Sequence, residues 1–305
     1  MARTDAVAWQ AGGSPADSET LHQRRNPSHW VVGFLTLCLL GFFCFAFANA
    51  NIEWGVVPKY LTSAPILSGL QKTLLISVLA MVLGLALGVI FAAMRLSKNP
   101  VTSAIAWLYV WLFRGTPVFV QLLIWFNLAL IFPRISIPGV FDVQTVKVIT
   151  PFLAALLGLG INEGAYLTEI IRGGILSVDS GQTQASVSLG LSRRRTLRHV
   201  ILPQAMPAIL PTIGNESIGM LKYSALAAVI GYAELLQSAQ TIYYVNGRVM
   251  ELLFVASIWY LVATSATSIA QYYLEQHFGR SEVRRRSLAD RLLRAGIARL
   301  RTGSA

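Results

Sequence analysis

Polar and apolar positions divide this chain into long blocks. Four stretches contain no Asp, Glu, Lys or Arg: residues 30–48, 73–94, 115–133 and 252–274. A helix needs about 20 apolar residues to cross a hydrocarbon layer, and each stretch is of that order. A fifth, 148–162, is shorter and continues past Glu163 to Ile171. A sixth, from about 209 to 236, is interrupted by Glu216, Lys222 and Glu234. Charge inside a span is costly, so those residues need a task. The pattern predicts an all-α polytopic membrane protein with about six transmembrane helices over residues 30–277. A polar leader, 1–29, reads as cytoplasmic and disordered, and 278–305 reads as a basic cytoplasmic tail.

Punctuation refines the blocks. Gly115-Thr116-Pro117 opens the third stretch, with Thr116 read as N-cap and Pro117 as the first helical residue. Upstream, Trp107, Tyr109, Trp111 and Phe113 suit a segment lying in the interface, with a kinked helix from about Thr102 as the alternative. Gly84 and Gly88 form a small-xxx-small step for close helix packing. Residues 177–208 are too polar for lipid. They predict a short helix over 182–188, a break or cap at Gly190, and a second short helix through the arginines to His199. Pro203, Pro207 and Pro211 then predict a kinked re-entry into the membrane.

Composition agrees with lipid as the solvent. The chain is 54% hydrophobic and 13% charged, against about 25% charged in soluble domains. A net charge of +11 raises nucleic acid as a partner. The basic residues flank apolar runs and form no stripe on a polar scaffold, so that class is set aside. With the N-terminus inside, the inner segments hold Arg95, Lys98, Arg172, Arg193–Arg195, Arg198 and eight arginines from Arg280 to Arg301. The outer segments hold Lys59, Lys72, Arg134, Lys147 and Arg248. This asymmetry predicts both termini in the cytoplasm. Cys38 and Cys44 lie inside the first stretch and read as apolar fillers, and the histidines have no metal-ligand spacing.

At the 177–208 loop the sequence resembles a known family. Gly181-Gln182-Thr183-Gln184-Ala185-Ser186, then Gly190, then Val200-Ile201-Leu202-Pro203, resembles the Glu-Ala-Ala loop of binding-protein-dependent ABC transporter permeases. Gln184 stands where the family has Glu, Ser186 where it has a second Ala, and Val200 where it has Ile. The polar amino acid uptake branch, histidine and glutamine permeases among them, is matched in three further segments. They are Phe113-Arg114-Gly115-Thr116-Pro117, Gly164-Ala165-Tyr166 with Glu169 to Ile175, and Leu221-Lys222 with Ala233-Glu234-Leu235-Leu236. Where the family continues from Lys with Asp-Thr-Ser, this chain has Tyr223-Ser224-Ala225.

The resemblance implies the type I importer permease fold in a bacterial inner membrane and one half of a permease dimer, identical or homologous. It also implies two ATP-binding subunits that carry ATP and Mg, an extracytoplasmic solute-binding protein, and an amino acid or similar small polar solute. This chain has no phosphate loop and is read as binding no cofactor and hydrolysing no ATP. Gln182, Gln184, Ala185, Ser186, Gly190, Leu202 and Pro203 are implied as the knob that docks on the ATPase. Glu169 and Arg172, three apart, share a helical face and suit a structural ion pair. Glu163, Asn162, Glu216 and Lys222 are candidates for the solute path, with Glu163 facing an ammonium, or else satisfied by an interhelical hydrogen bond or held as a protonated carboxyl. The rival classes are a secondary transporter or channel without an ATPase, marked by repeats or broken helices, and a membrane enzyme, for which no convergent site is present.

Overall fold

A computed structural model describes residues 28–50, 52–137 and 141–302, with side chains from Trp30 to Gln276 apart from those of Asn51 and residues 137–141. Residues 1–27 of the predicted leader lie outside the described residues, and its last two, Ser28 and His29, already belong to the first helix. Contacts divide the chain into Met1–Asn51 and Ile52–Ala305. Among its described residues the first unit holds one helix, α1 (Ser28–Ala48), whose described side chains from Trp30 onward are all exposed. A helix apolar on every face is stable only with lipid or other helices around it.

The second unit begins with a short helix, α2 (Val56–Leu61), and then α3 (Ala64–Arg95). Two further helices, α4 (Pro100–Gly115) and α5 (Val118–Phe126), meet at 101°. One turn, α6 (Leu128–Ile131), leads to an antiparallel pair, β1 (Arg134–Ile137) and β2 (Phe141–Gln144). After α7 (Thr145–Val148) comes α8 (Pro151–Leu176), whose N-cap Thr150 accepts from Leu153 N. Two short helices, α9 (Ser180–Ser188) and α10 (Arg193–Thr196), precede α11 (Leu202–Tyr223). The chain closes with α12 (Leu235–Asn246) and α13 (Val249–Thr302). The fold is all-α and polytopic, with the hairpin as a small addition. Its Arg134–Asp142 pair, 2.5 Å apart, holds the Asp142 carboxyl below its usual range by a hydrogen bond.

Six elements are candidates for the spans. By length and apolarity alone, α1, α3 and the first 28 residues of α13 qualify, and the bent pairs α4–α5 and α11–α12 make five. The sixth is α8, 26 residues and so about 39 Å long, which carries Glu163, Glu169 and Arg172. The expected third span is therefore not one helix. It starts beside the end of α3, where Ser103 Oγ donates to Arg95 O, and its second helix packs on α8, where a methyl on Gly158 would lie 2.6 Å from Leu122 Cδ2. Asn99, not Thr116, supplies a side-chain cap, accepting from Val101 N and Thr102 N at the start of α4. Pro117 is itself the N-cap of α5. The interfacial aromatics also divide: Trp107 and Trp111 are exposed, whereas Tyr109 turns inward, stacks on Phe91 and donates to Ile161 O at 2.6 Å.

The small-residue step is a close contact. A methyl on Gly84 would lie 2.9 Å from Glu163 Cγ, and one on Gly88 2.7 Å from Leu167 Cβ. On the facing helix, one on Gly164 would lie 2.6 Å from Tyr109 Oη. Glycine is what lets α3 and α8 approach backbone to backbone. The main core lies around this pair, with Ile76 and Ala80 of α3, Leu122 of α5, Ala154 and Leu159 of α8 and Met220 of α11. A second cluster joins α2, α12 and α13 through Val57, Leu235, Ala239, Leu252 and Val255. The bond from Trp259 Nε1 to Leu61 O, 2.9 Å, adds to it.

One expectation about the fifth span is corrected. Helical residues follow one another from Arg193 to Ile230, so the second short helix, α10, does not end at His199 but runs through a π turn into α11. A π turn at Leu197–Ile201 absorbs the approach to Pro203, with Leu202 N bonding Leu197 O. Pro203, Pro207 and Pro211 are four apart, so their missing N–H groups fall on one face and the ladder on the other face continues. At the far end a 3-10 segment, Ser224–Ile230, stops at Gly231 with φ +74. The chain then turns into α12, bent by 46°.

Glu234 sits at that turn and is fully buried. It is no interruption of a span but the N-cap of α12, accepting from Leu236 N at 2.9 Å and Gln237 N at 2.8 Å. Tyr260 Oη of α13 donates to it at 2.5 Å and Thr73 Oγ1 of α3 at 3.2 Å. Thr73 Oγ1 in turn accepts from Leu235 N. One carboxylate thus pins three helices together.

Candidate functional site

The break between α4 and α5 opens a cavity of about 400 Å³. Its wall includes Arg114, Gly115, Thr116 and Pro117 from the break, Asn162, Glu163 and Tyr166 from α8, and Glu216, Met220 and Tyr223 from α11. Interrupted spans of this kind expose backbone and polar groups at membrane depth where they line a cavity. Three of the four expected path residues, Asn162, Glu163 and Glu216, meet here. Lys222 does not: it lines a separate cavity of about 360 Å³ with Ser257, Tyr260 and Thr264. Its six-residue offset from Glu216 turns it away.

The charged groups are held differently. Glu163 is 3% exposed, its stem packs on Gly84, and Oε1 has no hydrogen-bond partner among the described residues. It shares the cavity with Glu216. The guanidinium of Arg114 lies 5.0 Å over the Tyr166 ring and interacts electrostatically with Glu216. Asn162 is largely committed to the backbone: Nδ2 donates to Phe113 O at 2.8 Å and to Gln121 Oε1 at 3.3 Å. Gln121 Nε2 donates to Phe113 O, Thr116 O and Thr116 Oγ1 at 2.9, 3.1 and 2.8 Å.

Arg114, Tyr166, Gln121 and Tyr223 were absent from the candidate residues read in the sequence. The Arg-Gly-Thr-Pro motif could have supplied Arg114, and the change from Asp to Tyr223 could have supplied the last. Gln121 sits in an apolar run with only its polarity to mark it.

Beyond Arg114 and Tyr166, a further cavity of about 460 Å³ is lined by Arg95, Trp107, Trp111 and Glu169. Arg114, Gly115 and Tyr166 form part of the wall of both. At this end Glu169 Oε2 accepts from Arg172 at 2.6 and 2.9 Å, and its Oε1 lies 3.5 Å from Arg95 Nε. The pair expected within α8 is therefore a triad that also ties α8 to the end of α3.

The loop at 177–208 folds into a defined knob. Asp179 caps α9 by accepting from Gly181 N at 2.7 Å. The helix ends with Leu191 N bonding Ser186 O and Gly190 N bonding Val187 O, while Gly190 takes φ +74. That pair of bonds is the left-handed termination that glycine favours. A Cβ on Gly190 would meet open space, so its backbone angle, not close approach to this chain, accounts for glycine there. Ser186 is buried and bonds Gln182 O, so it faces the chain's own helices and not outward as expected. Gln182, Gln184, Ala185, Val187 and Leu189 are exposed, with Leu189 at 80%. Gln182 Oε1 accepts from Gln204 at 3.4 Å, linking the knob to α11 near Leu202 and Pro203.

Comparison with known proteins follows the same outline. A family model, the binding-protein-dependent transport system inner membrane component, matches residues 84–280. The arginine transport system permease protein ArgU of Corynebacterium glutamicum is 40% identical over 278 residues, 90% of this chain and 88% of that protein. The glutamine transport system permease protein GlnP of Escherichia coli K12 is 36% identical over 224 residues, 73% of this chain and 94% of that protein. The crystal structure of an amino acid ABC transporter with histidines superposes with a TM-score of 0.65 at 36% identity, covering 75% of this chain and 100% of that chain. An inward-facing methionine ABC transporter, MetNI, superposes with a TM-score of 0.56 at 18% identity over 70% and 96% of the two chains, a likeness of fold.

Proposed function

The chain belongs to the binding-protein-dependent transport system inner membrane component family, the permease subunits of ATP-driven importers, and on that premise we propose that it carries an amino acid with a cationic side chain. The observation that supports this most is the charge set of the 400 Å³ cavity: two carboxylates, Glu163 and Glu216, against one guanidinium, Arg114. A cationic amino acid presents the complement, one carboxylate and two positive groups. Arg114 receives the α-carboxylate, and Glu163 and Glu216 receive the α-ammonium and the side-chain cation. Tyr166 and Tyr223 supply ring faces that suit a cation. The 40% identical relative named for arginine fits this choice.

The solute then passes the Arg114–Tyr166 stack into the cavity beside Arg95 and Glu169. Of two partner ATPase subunits, which hold ATP and Mg, one docks on the exposed face of α9, with Gln182, Gln184, Ala185 and Leu189 in the contact. A second permease subunit and an extracytoplasmic solute-binding protein complete the importer. Closure of the ATPase pair moves α9 and shifts the population between inward- and outward-open forms. The test is ATP-driven uptake by proteoliposomes holding the whole importer, with labelled L-arginine and L-glutamine offered separately. Uptake of arginine at least tenfold more efficient than of glutamine is expected. Equal or reversed preference overturns the cationic assignment.

Two further expectations belong to this reading. Gly190→Asp is expected to abolish coupled uptake while the permease still inserts at wild-type level. Asp tolerates a left-handed angle better than Ala does. If the cap alone matters, Gly190→Ala is the more damaging change. If the ATPase surface matters, Gly190→Asp is. Wild-type uptake by both removes the knob from the mechanism. With Cys38 and Cys44 replaced by serine, Arg286→Cys is expected to react with an impermeant maleimide in inside-out vesicles and not in intact cells. Labelling of intact cells overturns the inside placement of the C-terminus.

A further inference from the structure

Where α4 stops at Gly115, its last carbonyls lose their helical partners. Inside a membrane no bulk water replaces them, and each unsatisfied group costs several kcal/mol. Side chains take over here. Phe113 O accepts from both Gln121 and Asn162, Thr116 O accepts from Gln121, and Leu112 O accepts from Thr116 Oγ1 at 2.9 Å. The two amides also bond each other. Gln121 is 5% exposed, and its nitrogen already faces three acceptors while its oxygen serves Asn162. It has nothing left to offer a solute.

What the amides hold is the segment between their anchor points. Phe113 and Thr116 bracket Arg114, and a Cβ on Gly115 would have nothing within 4 Å. Side-chain packing therefore does not fix the backbone at Gly115, and the hydrogen bonds on either side do. We infer that Gln121, together with Asn162, is a positioning residue for the solute: its carboxamide clamps the Phe113–Thr116 break in the geometry that keeps the Arg114 guanidinium over the cavity. This rests on the reading of Arg114 as the group that receives the α-carboxylate. A pre-placed guanidinium binds without first ordering its backbone, so losing the clamp lowers affinity even with Arg114 present.

Gln121→Met keeps the length and bulk of the side chain and removes its donors and acceptor. The measurement is equilibrium binding of radiolabelled L-arginine to the purified permease–ATPase complex in nanodiscs, expressed per assembled complex. Gln121→Met is expected to weaken binding about tenfold, and Arg114→Met at least as much. The double variant is expected to bind no more weakly than Arg114→Met alone, because Gln121 acts through Arg114. A purely structural amide would lower the yield of complex and leave the affinity of the recovered complex unchanged. Wild-type affinity in Gln121→Met, or full multiplication of the two losses in the double variant, overturns the inference. If Arg114→Met itself binds arginine normally, the carboxylate reading fails and the inference with it. If Gln121→Met does not assemble, Thr116→Val decides: it removes one acceptor of the clamp and is expected to weaken binding about threefold, and no weakening overturns the proposal.

Discussion

Glu163→Gln is expected to lower ATP-driven uptake of L-arginine by about 10- to 100-fold, with expression and ATPase association intact. A hydrogen bond to a charged group contributes about 1.5–3 kcal/mol, and about 1.4 kcal/mol is a factor of ten. Glutamine keeps the size that Gly84 accommodates and one carbonyl acceptor, so the change isolates the charge. The motive is the arrangement: a carboxyl 3% exposed on a cavity wall, with Oε1 unpartnered among the described residues. Glu216→Gln, in the wall of the same cavity, is expected to impair uptake of cationic substrates in the same direction. Unchanged uptake and unchanged ranking of arginine over glutamine in Glu163→Gln would reduce Glu163 to a packing group against α3.

The largest effect on stability is expected at Glu234. Glu234→Ala strips two capping acceptors from α12 and leaves Tyr260 Oη and Thr73 Oγ1 with a lost partner. A lost cap costs about 1 kcal/mol and each stranded buried donor about 1–3 kcal/mol. The sum, about 3–7 kcal/mol, is a large part of a folded domain's margin. The thermal midpoint of the detergent-purified chain, read by size-exclusion after heating, should drop by several degrees. Glu234→Gln keeps an acceptor for the α12 amides and should lose less. A wild-type midpoint in the alanine variant would mean that α12 is held by its apolar contacts alone.

Hydropathy made the polytopic all-α class legible because lipid demands long uncharged runs and little else resembles them. The same measure misread 209–236. It counts Glu234 as a charge in a span, whereas the carboxylate caps a new helix after Gly231 has turned the chain. Residues 115–133 look like one span, yet helix α5 covers only Val118–Phe126 and meets α4 at 101°. The Gly-Thr-Pro step marks a boundary, but a boundary carries no angle. The angle comes from tertiary partners, Gln121 and Asn162, 41 residues apart. The hairpin and α2 escaped because four to six residues are too few for a periodic signal.

The cluster of Asn162, Glu163 and Glu216 was half visible. Intramembrane carboxyls flagged Glu163 and Glu216 individually, and only the fold places them across one cavity and sends Lys222 elsewhere. Broken helices were expected to mark a secondary transporter. Two bent spans occur in this importer permease, so that feature does not separate the classes. Membership of the family does.

The π turn at Leu197–Ile201 holds five residues where the α geometry of its flanks has 3.6 per turn. Each residue advances an α-helix by about 100°. Its i→i+5 bond, Leu202 N to Leu197 O, takes up one residue more than an α turn by widening the ring. Deleting one residue there would let the turn relax to α with α9 and α10 close to their present azimuth, whereas deleting one from the regular helix on either side would swing them by about 100°. The wide turn thus lets the heading of the knob tolerate one residue more or less, and an alignment gap at 197–201 between two such permeases is compatible with knobs oriented alike.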